Sequence, residues 1–513
     1  MDNFLLPLYI ILPLAGAFLI PLISRLASSF SRYISTLIFL ILTLFSIWSI
    51  FVWDRKNMIY AMGGWEVIDH VPVGIFLIYD GFSAFILGIV NFIAFLSAIY
   101  AVGYIRKYTS EPYFYTLLSL MIAGMNGVIL SGDLFNLYVF LEIAAISSYA
   151  LVSFGVEKEE LEASFKYQVL GGMASLIILF GIGMTYWSTS TLNIADISGI
   201  LASSQNNYLT VFIQVLMITG FGLKAAIVPF HAWLPDAHSS APSPISSLLS
   251  GVLIKAVGVY VLIRLFFNMF AISYEIAVTF TTLGVLSIVV GGLLAIGQWD
   301  YKRLLAYSSI SQVGYIIIGI GVGLLVLSGD GSRTIASLAI FGGLFHLLNH
   351  AVFKSLMFMN AGAVEHTTGV RDLRMLGGLG KMMPLTSTTS FSGSMSISGL
   401  PPFSGFFSKV VIIIAAVQAQ YYLVAFIAVI MSVITLAYFL KFQRDIFSAE
   451  SRSNFEGFSF NMPFSMKLPM VILATLCLLL SLIVIPGLRD TFLSPAVNTL
   501  LEMSDYSTKI LGG

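Results

Sequence analysis

Residues 221–260 read FGLKAAIVPFHAWLPDAHSSAPSPISSLLSGVLIKAVGVY and place two lysines, Lys224 and Lys255, inside two consecutive apolar runs. An ionisable side chain deep in a bilayer is costly, so it faces a partner or a hydrated cavity rather than lipid. Pro229, five residues past Lys224, lacks the N–H a helix requires and clashes with the carbonyl of Ala225. A lysine beside an interrupted helix at membrane depth is the pattern of an ion site. If its span ended early, Lys224 could instead snorkel to the surface. Lys255 has no such escape, being the thirteenth residue of a span drawn over 243–267.

The surrounding chain has the composition of a membrane protein. Its 513 residues are 58% hydrophobic and 10% charged, with mean hydropathy +0.95. Soluble domains are about half apolar and about a quarter charged. The formal net charge is zero and no basic tail is present, which excludes nucleic acid as an expected partner. A single cysteine, Cys477, cannot form an internal disulfide. No cationic region precedes the first apolar stretch, so 5–23 reads as a retained span rather than a cleaved signal.

About 20 apolar residues cross roughly 30 Å of hydrocarbon. On that basis fourteen spans are expected, at 5–23, 34–53, 82–104, 113–131, 134–155, 167–187, 209–233, 243–267, 276–298, 304–327, 335–364, 386–418, 421–440 and 468–485. The interval holding Trp65, Asp69 and His70 reads as a surface segment on the outer side, and 157–166 as a short amphipathic interfacial helix. The twelfth span is broken by Pro401-Pro402. Of the 25 lysines and arginines, fifteen fall in loops after odd-numbered spans and six, Arg264 among them, after even-numbered spans or at the termini. Positive loops stay in the cytoplasm, which predicts a multi-pass protein of the cell or energy-coupling membrane with both termini outside.

The remaining four lysines, Lys224, Lys255, Lys354 and Lys409, lie within spans. Glu142 is the one carboxylate deep in a span; near a lysine it can stay ionised and lower the cost of both, as a proton site or as a fixed strut. His346, His350 and Lys354 recur at every fourth position and share a helical face. Imidazoles in such a row suit a proton relay, though they also serve as plain hydrogen-bonding groups. With no other buried histidine or thiolate to complete a ligand set, no metal is expected. Ser308, Ser311, Gln312 and Tyr315 form a polar face on the tenth span, able to line a hydrated path or to glue helices together. After Lys409 only eight strictly apolar residues, 410–417, precede Gln418, so the Ser/Gly-rich stretch upstream must also lie in the membrane. An interrupted helix beside a lysine thus occurs twice, at Pro229 and at Pro401-Pro402, a pointer to inverted repeats.

Four stretches, WLPDAHSSAPSPISSLLSGVLIKAVGVY (233–260), KRLLAYSSISQVGY (302–315), LLNHAVFKSLMFMNAGAV (347–364) and SGLPPFSGFFSK (398–409), closely resemble the antiporter-like subunits of respiratory complex I and its relatives. The resemblance covers roughly 75–445; within the family the chain looks most like the D subunit of Mrp-type sodium/proton antiporters and equally like the equivalent subunit of membrane-bound hydrogenases and related archaeal complexes. It implies an all-α, fourteen-helix fold with helices one to three at 1–112, inverted five-helix repeats at 113–270 and 271–447, and a C-terminal loop and helix at 448–513. It implies a proton path in which Glu142 and Lys224 form the charge pair of the first half-channel and Lys255 links the halves. His346 and His350 then form the central relay, with Lys354 beside them, and Lys409 is the terminal lysine. Gln312 stands where some relatives carry histidine, so transfer there needs water. No long lateral helix is expected after the fourteenth span.

The expected function is proton translocation within a multisubunit cation/proton antiporter or redox-driven pump. Its partners are other membrane subunits, lipid and protons, with sodium left open. No cofactor and no catalytic residue is expected, because flavin, nucleotide and iron–sulfur motifs are missing. A free-standing transporter of a small solute is the main alternative; it calls for a midplane pocket with substrate-specific polar groups. An intramembrane enzyme is the other, and its candidate residues are His231, Asp236 and His238.

Overall fold

The computed structural model describes residues 2–25, 30–53, 57–65, 67–68, 71–108, 110–203, 208–329, 331–452, 460–502 and 506–511. Helices α1 (Leu8–Ser24) and α2 (Phe30–Val52) lead into two small antiparallel pairs. In these β1 (Met58–Ala61) pairs with β4 (Phe76–Tyr79), enclosing β2 (Val67–Ile68) and β3 (Val71–Pro72). Next come α3 (Gly81–Tyr104), α4 (Glu111–Leu130), α5 (Leu134–Val152), α6 (Lys158–Thr189), the short α7 (Ile194–Ser203), α8 (Tyr208–Lys224) and α9 (Trp233–Ser240). Helices α10 (Ser243–Leu248) and α11 (Tyr260–Asn268) are joined by two π turns, Leu249–Leu253 and Lys255–Val259, into one span. The second half holds α12 (Tyr274–Ile296), α13 (Tyr301–Leu327), α14 (Arg333–Thr368), the single turn α15 (Leu379–Met382), α16 (Pro384–Ser398), α17 (Ser404–Gln418) and α18 (Tyr422–Gln443). The chain closes with α19 (Phe464–Leu479) and the short α20 (Pro486–Phe492), α21 (Ser494–Leu501) and α22 (Tyr506–Leu511).

Among the described residues twelve helical spans are long and apolar enough to cross a bilayer. The two shorter apolar helices, Tyr208–Lys224 and Ser404–Gln418, fall at the seventh and twelfth expected positions. Together they match the fourteen read from the sequence. The protein is a polytopic all-α membrane protein. The outer helices turn large side chains such as Phe18, Leu37, Leu423 and Phe426 outward, whereas Ser243–Asn268 and almost all of α13 are enclosed by other helices. A helix apolar on every side belongs in such a position.

Four expectations change. The stretch 157–166 is no separate interfacial helix: its residues form the first turns of α6, because Glu157 and Glu160 make a capping box that starts the helix there. The segment after α2 contains strands. Trp65 is exposed as expected, whereas Asp69 and His70 lie outside the described residues. The fourteenth span starts earlier, at Phe464, and its last turn, Leu480–Val484, tightens to a 3-10 helix. Arg264, taken for a loop cation, is buried within α11, where its guanidinium grips Asp80 at 2.7 and 2.8 Å. Asp80 also caps α3 through the amides of Phe82 and Ser83, so one carboxylate starts a helix and anchors another. Arg55 and Lys56 lie outside the described residues.

Candidate proton path

Both interrupted helices end the same way. The amide of Ile227 reaches the Gly222 carbonyl and that of Ala226 the Leu223 carbonyl, with Ala226 in the left-handed region at φ 54°. In the second half the amide of Leu400 reaches Met395 and that of Gly399 reaches Ser396, with Gly399 at φ 78°. Each is a Schellman termination, which satisfies the last carbonyls of a helix without a capping side chain. This revises the role given to the prolines. Pro229, Pro401 and Pro402 follow helix ends that are already closed, and so keep the chain from resuming the helix at once.

At each end a carbonyl also meets a polar side chain. The indole N–H of Trp233 donates to the Leu223 carbonyl at 2.9 Å. Lys409 donates to the Ile397 carbonyl at 2.7 Å and to Ser432 Oγ at 3.2 Å, and Ser432 donates in turn to the Ser398 carbonyl at 3.3 Å. Carbonyl, lysine and hydroxyl thus satisfy one another where lipid offers nothing.

The first cluster lies between α5, α6 and α8. Glu142 Oε1 is 3.7 Å from Lys224 Nζ and accepts a close hydrogen bond from Ser175. Lys224 also donates to Tyr149 Oη at 3.4 Å. Behind the pair Tyr149, Tyr167 and Trp233 form an aromatic wall, the last two stacked with centroids 4.2 Å apart. The exposure is asymmetric: 3% for the Lys224 side chain and 27% for that of Glu142. Lys255 sits on the second π turn and donates to the Ser250 carbonyl within its own helix. The neighbouring Ser250 hydroxyl meets Ser309 of α13 at 2.8 Å, tying the two halves together.

The second cluster lies on α14. His346 Nδ1 pairs with Ser408 Oγ at 2.9 Å, one residue from Lys409. His346 Nε2 and both ring nitrogens of His350 are buried without a protein partner among the described residues. Lys354 donates to the Leu305 carbonyl at 2.9 Å and closely to Ser308 Oγ. Lys409 stands 4.6 Å from the centre of the Tyr315 ring, which is itself 5.5 Å from that of His346. Between Ser308 and Tyr315, the buried amide of Gln312 has neither its oxygen nor its nitrogen paired among the described residues. Ser311 turns away and donates to the Ile288 carbonyl of α12, so it joins helices rather than facing these lysines.

Sequence reasoning missed Tyr149, Ser175, Trp233 and Ser432, ordinary residues made relevant by helices far apart in the chain. The enzyme alternative finds no support in His231, Asp236 and His238. Asp236 is engaged by Arg303 at 2.7 Å and Lys166 at 3.1 Å, whereas His238 is enclosed beside the Phe358 ring, centroids 5.0 Å apart. Burial pushes the Asp236 carboxyl up, but the hydrogen bonds from Lys166 and Arg303 outweigh it and hold it below the usual carboxylate range. No cluster of three metal-type side chains occurs among the described residues.

Residues 131–435 match the family described as NADH:quinone oxidoreductase/Mrp antiporter, transmembrane. The D subunit of the Na(+)/H(+) antiporter of Alkalihalophilus pseudofirmus is 32% identical over 483 residues, covering 93% of this chain and 94% of that one. A chain of the Mrp complex from Dietzia sp. DQ12-45-1b superposes with TM-score 0.88 at 26% identity, covering both chains in full. A chain of an archaeal membrane-bound sulfane sulfur reductase superposes with TM-score 0.87 at 31% identity, covering 99% of each. This chain belongs to the NADH:quinone oxidoreductase/Mrp antiporter transmembrane family.

Proposed function

We infer that this chain is the proton-translocating subunit of a larger membrane complex. The observation that carries this reading is the 3.7 Å approach of Glu142 to Lys224 at one end of a series of buried lysines and histidines. Each charge is expensive to bury alone, and as a pair they can share a proton. Protons enter at Glu142, pass Lys224 and Lys255, and continue through His350, Lys354 and His346 to Lys409, with water joining groups too far apart for direct transfer. Each protonation shifts the proton affinity of the next site, because charges in a low-dielectric interior act on one another strongly. Ser308, Gln312 and Tyr315 line the second half of the route.

A carboxylate as exposed as Glu142 cannot face hydrocarbon, which supports a partner subunit covering that face of α5. The relatives with similar structures are parts of multisubunit assemblies, in keeping with that reading. The driving force, a cation gradient or a redox step, belongs to the partners. The matching helix terminations at Ala226 and Gly399 support inverted repeats at 113–270 and 271–447, flanked by 1–112 and 448–513. With Arg264 removed from the loop tally, the charge bias favours both termini outside the cytoplasm more strongly.

The test is proton uptake by inverted vesicles carrying the assembled complex, followed with a pH-sensitive dye. Glu142→Gln reduces the initial rate to a small fraction of wild type while the composition of the complex stays unchanged. A full rate in that variant refutes the reading.

A further inference from the structure

We propose that the crevice between the start of α14, the end of α17 and the short helices α20 and α21 is a binding site for one glycerophospholipid, its phosphate held by Arg489. The crevice, open on one side, has a volume of about 480 Å³, within the range of roughly 300–1,000 Å³ typical of sites for small ligands. It opens at the face where α14 begins and α17 ends, opposite the face of Lys302 and Arg371. Its rim is polar, formed by Thr334, Gln418, Arg489 and Asn498. Its inner wall is apolar, formed by Leu338, Phe341 and Val411.

The order of these side chains follows membrane depth. On α14, Thr334 lies in the first turn and Phe341 two turns deeper. On α17, Gln418 is the last residue and Val411 seven residues deeper, about 10 Å at 1.5 Å per residue. Along α14 and α17 the polar ends therefore sit at headgroup level and Phe341 and Val411 along the upper part of an acyl chain, while Val484 and Val497 add apolar contact beside the rim; a phospholipid carries the same polar-to-apolar order. A protein helix seated there would need no cation at the rim. A phosphodiester does, and the Arg489 side chain is 44% exposed, with only its Nε engaged in the ion pair to Asp490 at 3.2 Å. A planar guanidinium with five donors suits a phosphate, and one bond to a neighbouring carboxylate leaves donors to spare.

The test uses the intact complex in nanodiscs doped with phosphatidylglycerol that carries a photoreactive diazirine on one acyl chain. Peptides from 334–341 and 411–418 should be labelled well above the lipid-facing surface of α2. Arg489→Ala should lower that labelling about tenfold or more, the loss expected when a hydrogen bond to a charged group is removed. Arg489→Lys should keep most of it. Should Arg489→Ala disturb assembly, Val411→Trp, which fills the inner wall and leaves the rim intact, serves instead and should abolish labelling at 334–341. Labelling equal to that on α2, labelling indifferent to both substitutions, or crosslinking of the crevice to a neighbouring protein in place of lipid would overturn the proposal.

Discussion

Gln312 shows what a single side chain can reveal about this path. Its amide is fully buried and has no protein partner among the described residues, between Ser308, which meets Lys354, and Tyr315, which meets Lys409. A path joined by water needs polar groups along it, and a leucine offers a water neither donor nor acceptor. Gln312→Leu should therefore slow proton uptake severalfold while the complex still assembles; a variant that pumps normally removes Gln312 from the path. The histidines differ from each other. Because His346 pairs with Ser408 and His350 has no protein partner among the described residues, His350→Ala should slow translocation more than His346→Ala, with both variants assembling. If neither assembles, both histidines are structural. The lysines, the histidines and Glu142 were legible in the sequence because a titratable group stands out in an apolar run. Tyr149, Ser175 and Ser432 were not, since hydroxyls are common in membrane helices and their importance depends on contacts across 23 to 75 residues.

At the scale of elements, the two helix breaks were legible but their cause was not. Prolines drew attention to Pro229 and Pro401-Pro402, yet the helices end at left-handed residues, Ala226 and Gly399, that precede them in the chain. Nothing in the sequence marks Ala226 as such a residue, since alanine is a strong helix former. A left-handed conformation costs an ordinary L-residue roughly 1–2 kcal/mol. Ala226→Gly should accordingly raise stability by up to about 1 kcal/mol after glycine's larger unfolded-state entropy is deducted. Gly399→Ala should lower it by about 1–2 kcal/mol or more, because a Cβ there would also stand 3.0 Å from the Lys409 stem. Thermal unfolding of the two purified variants checks both signs, and equal shifts would contradict the shared termination. The π turns around Lys255 were illegible for a different reason. An i→i+5 helix leaves no signature in a run of residues that are all enclosed.

At the scale of the molecule, ion pairs join parts of the chain that hydropathy alone treats as independent. Asp80 and Arg264 lock α3 to α11 in the interior, and removing one partner of such a buried pair costs about 3–5 kcal/mol. Asp80→Asn should lower the unfolding temperature sharply, and adding Arg264→Met should recover part of the loss; a silent Asp80→Asn would contradict the lock. Asp236 joins α9 to α6 and α13 at the opposite face. Its carboxyl lies below the usual range in the folded protein, so its contribution is fully present above its ordinary value near about 4. The contribution is lost as pH falls through the lower folded value. The stability gap between wild type and Asp236→Asn should therefore be constant above about pH 5 and close in stronger acid. The proposed path crosses this frame from one half of the chain to the other, with Lys255 assigned as the group between them. Proton uptake by vesicles carrying the complex with Lys255→Ala is the most direct measurement of that claim. A path through this lysine predicts normal assembly, an intact Glu142–Lys224 pair and almost no uptake, whereas uptake at the wild-type rate would mean that protons do not cross between the halves at Lys255.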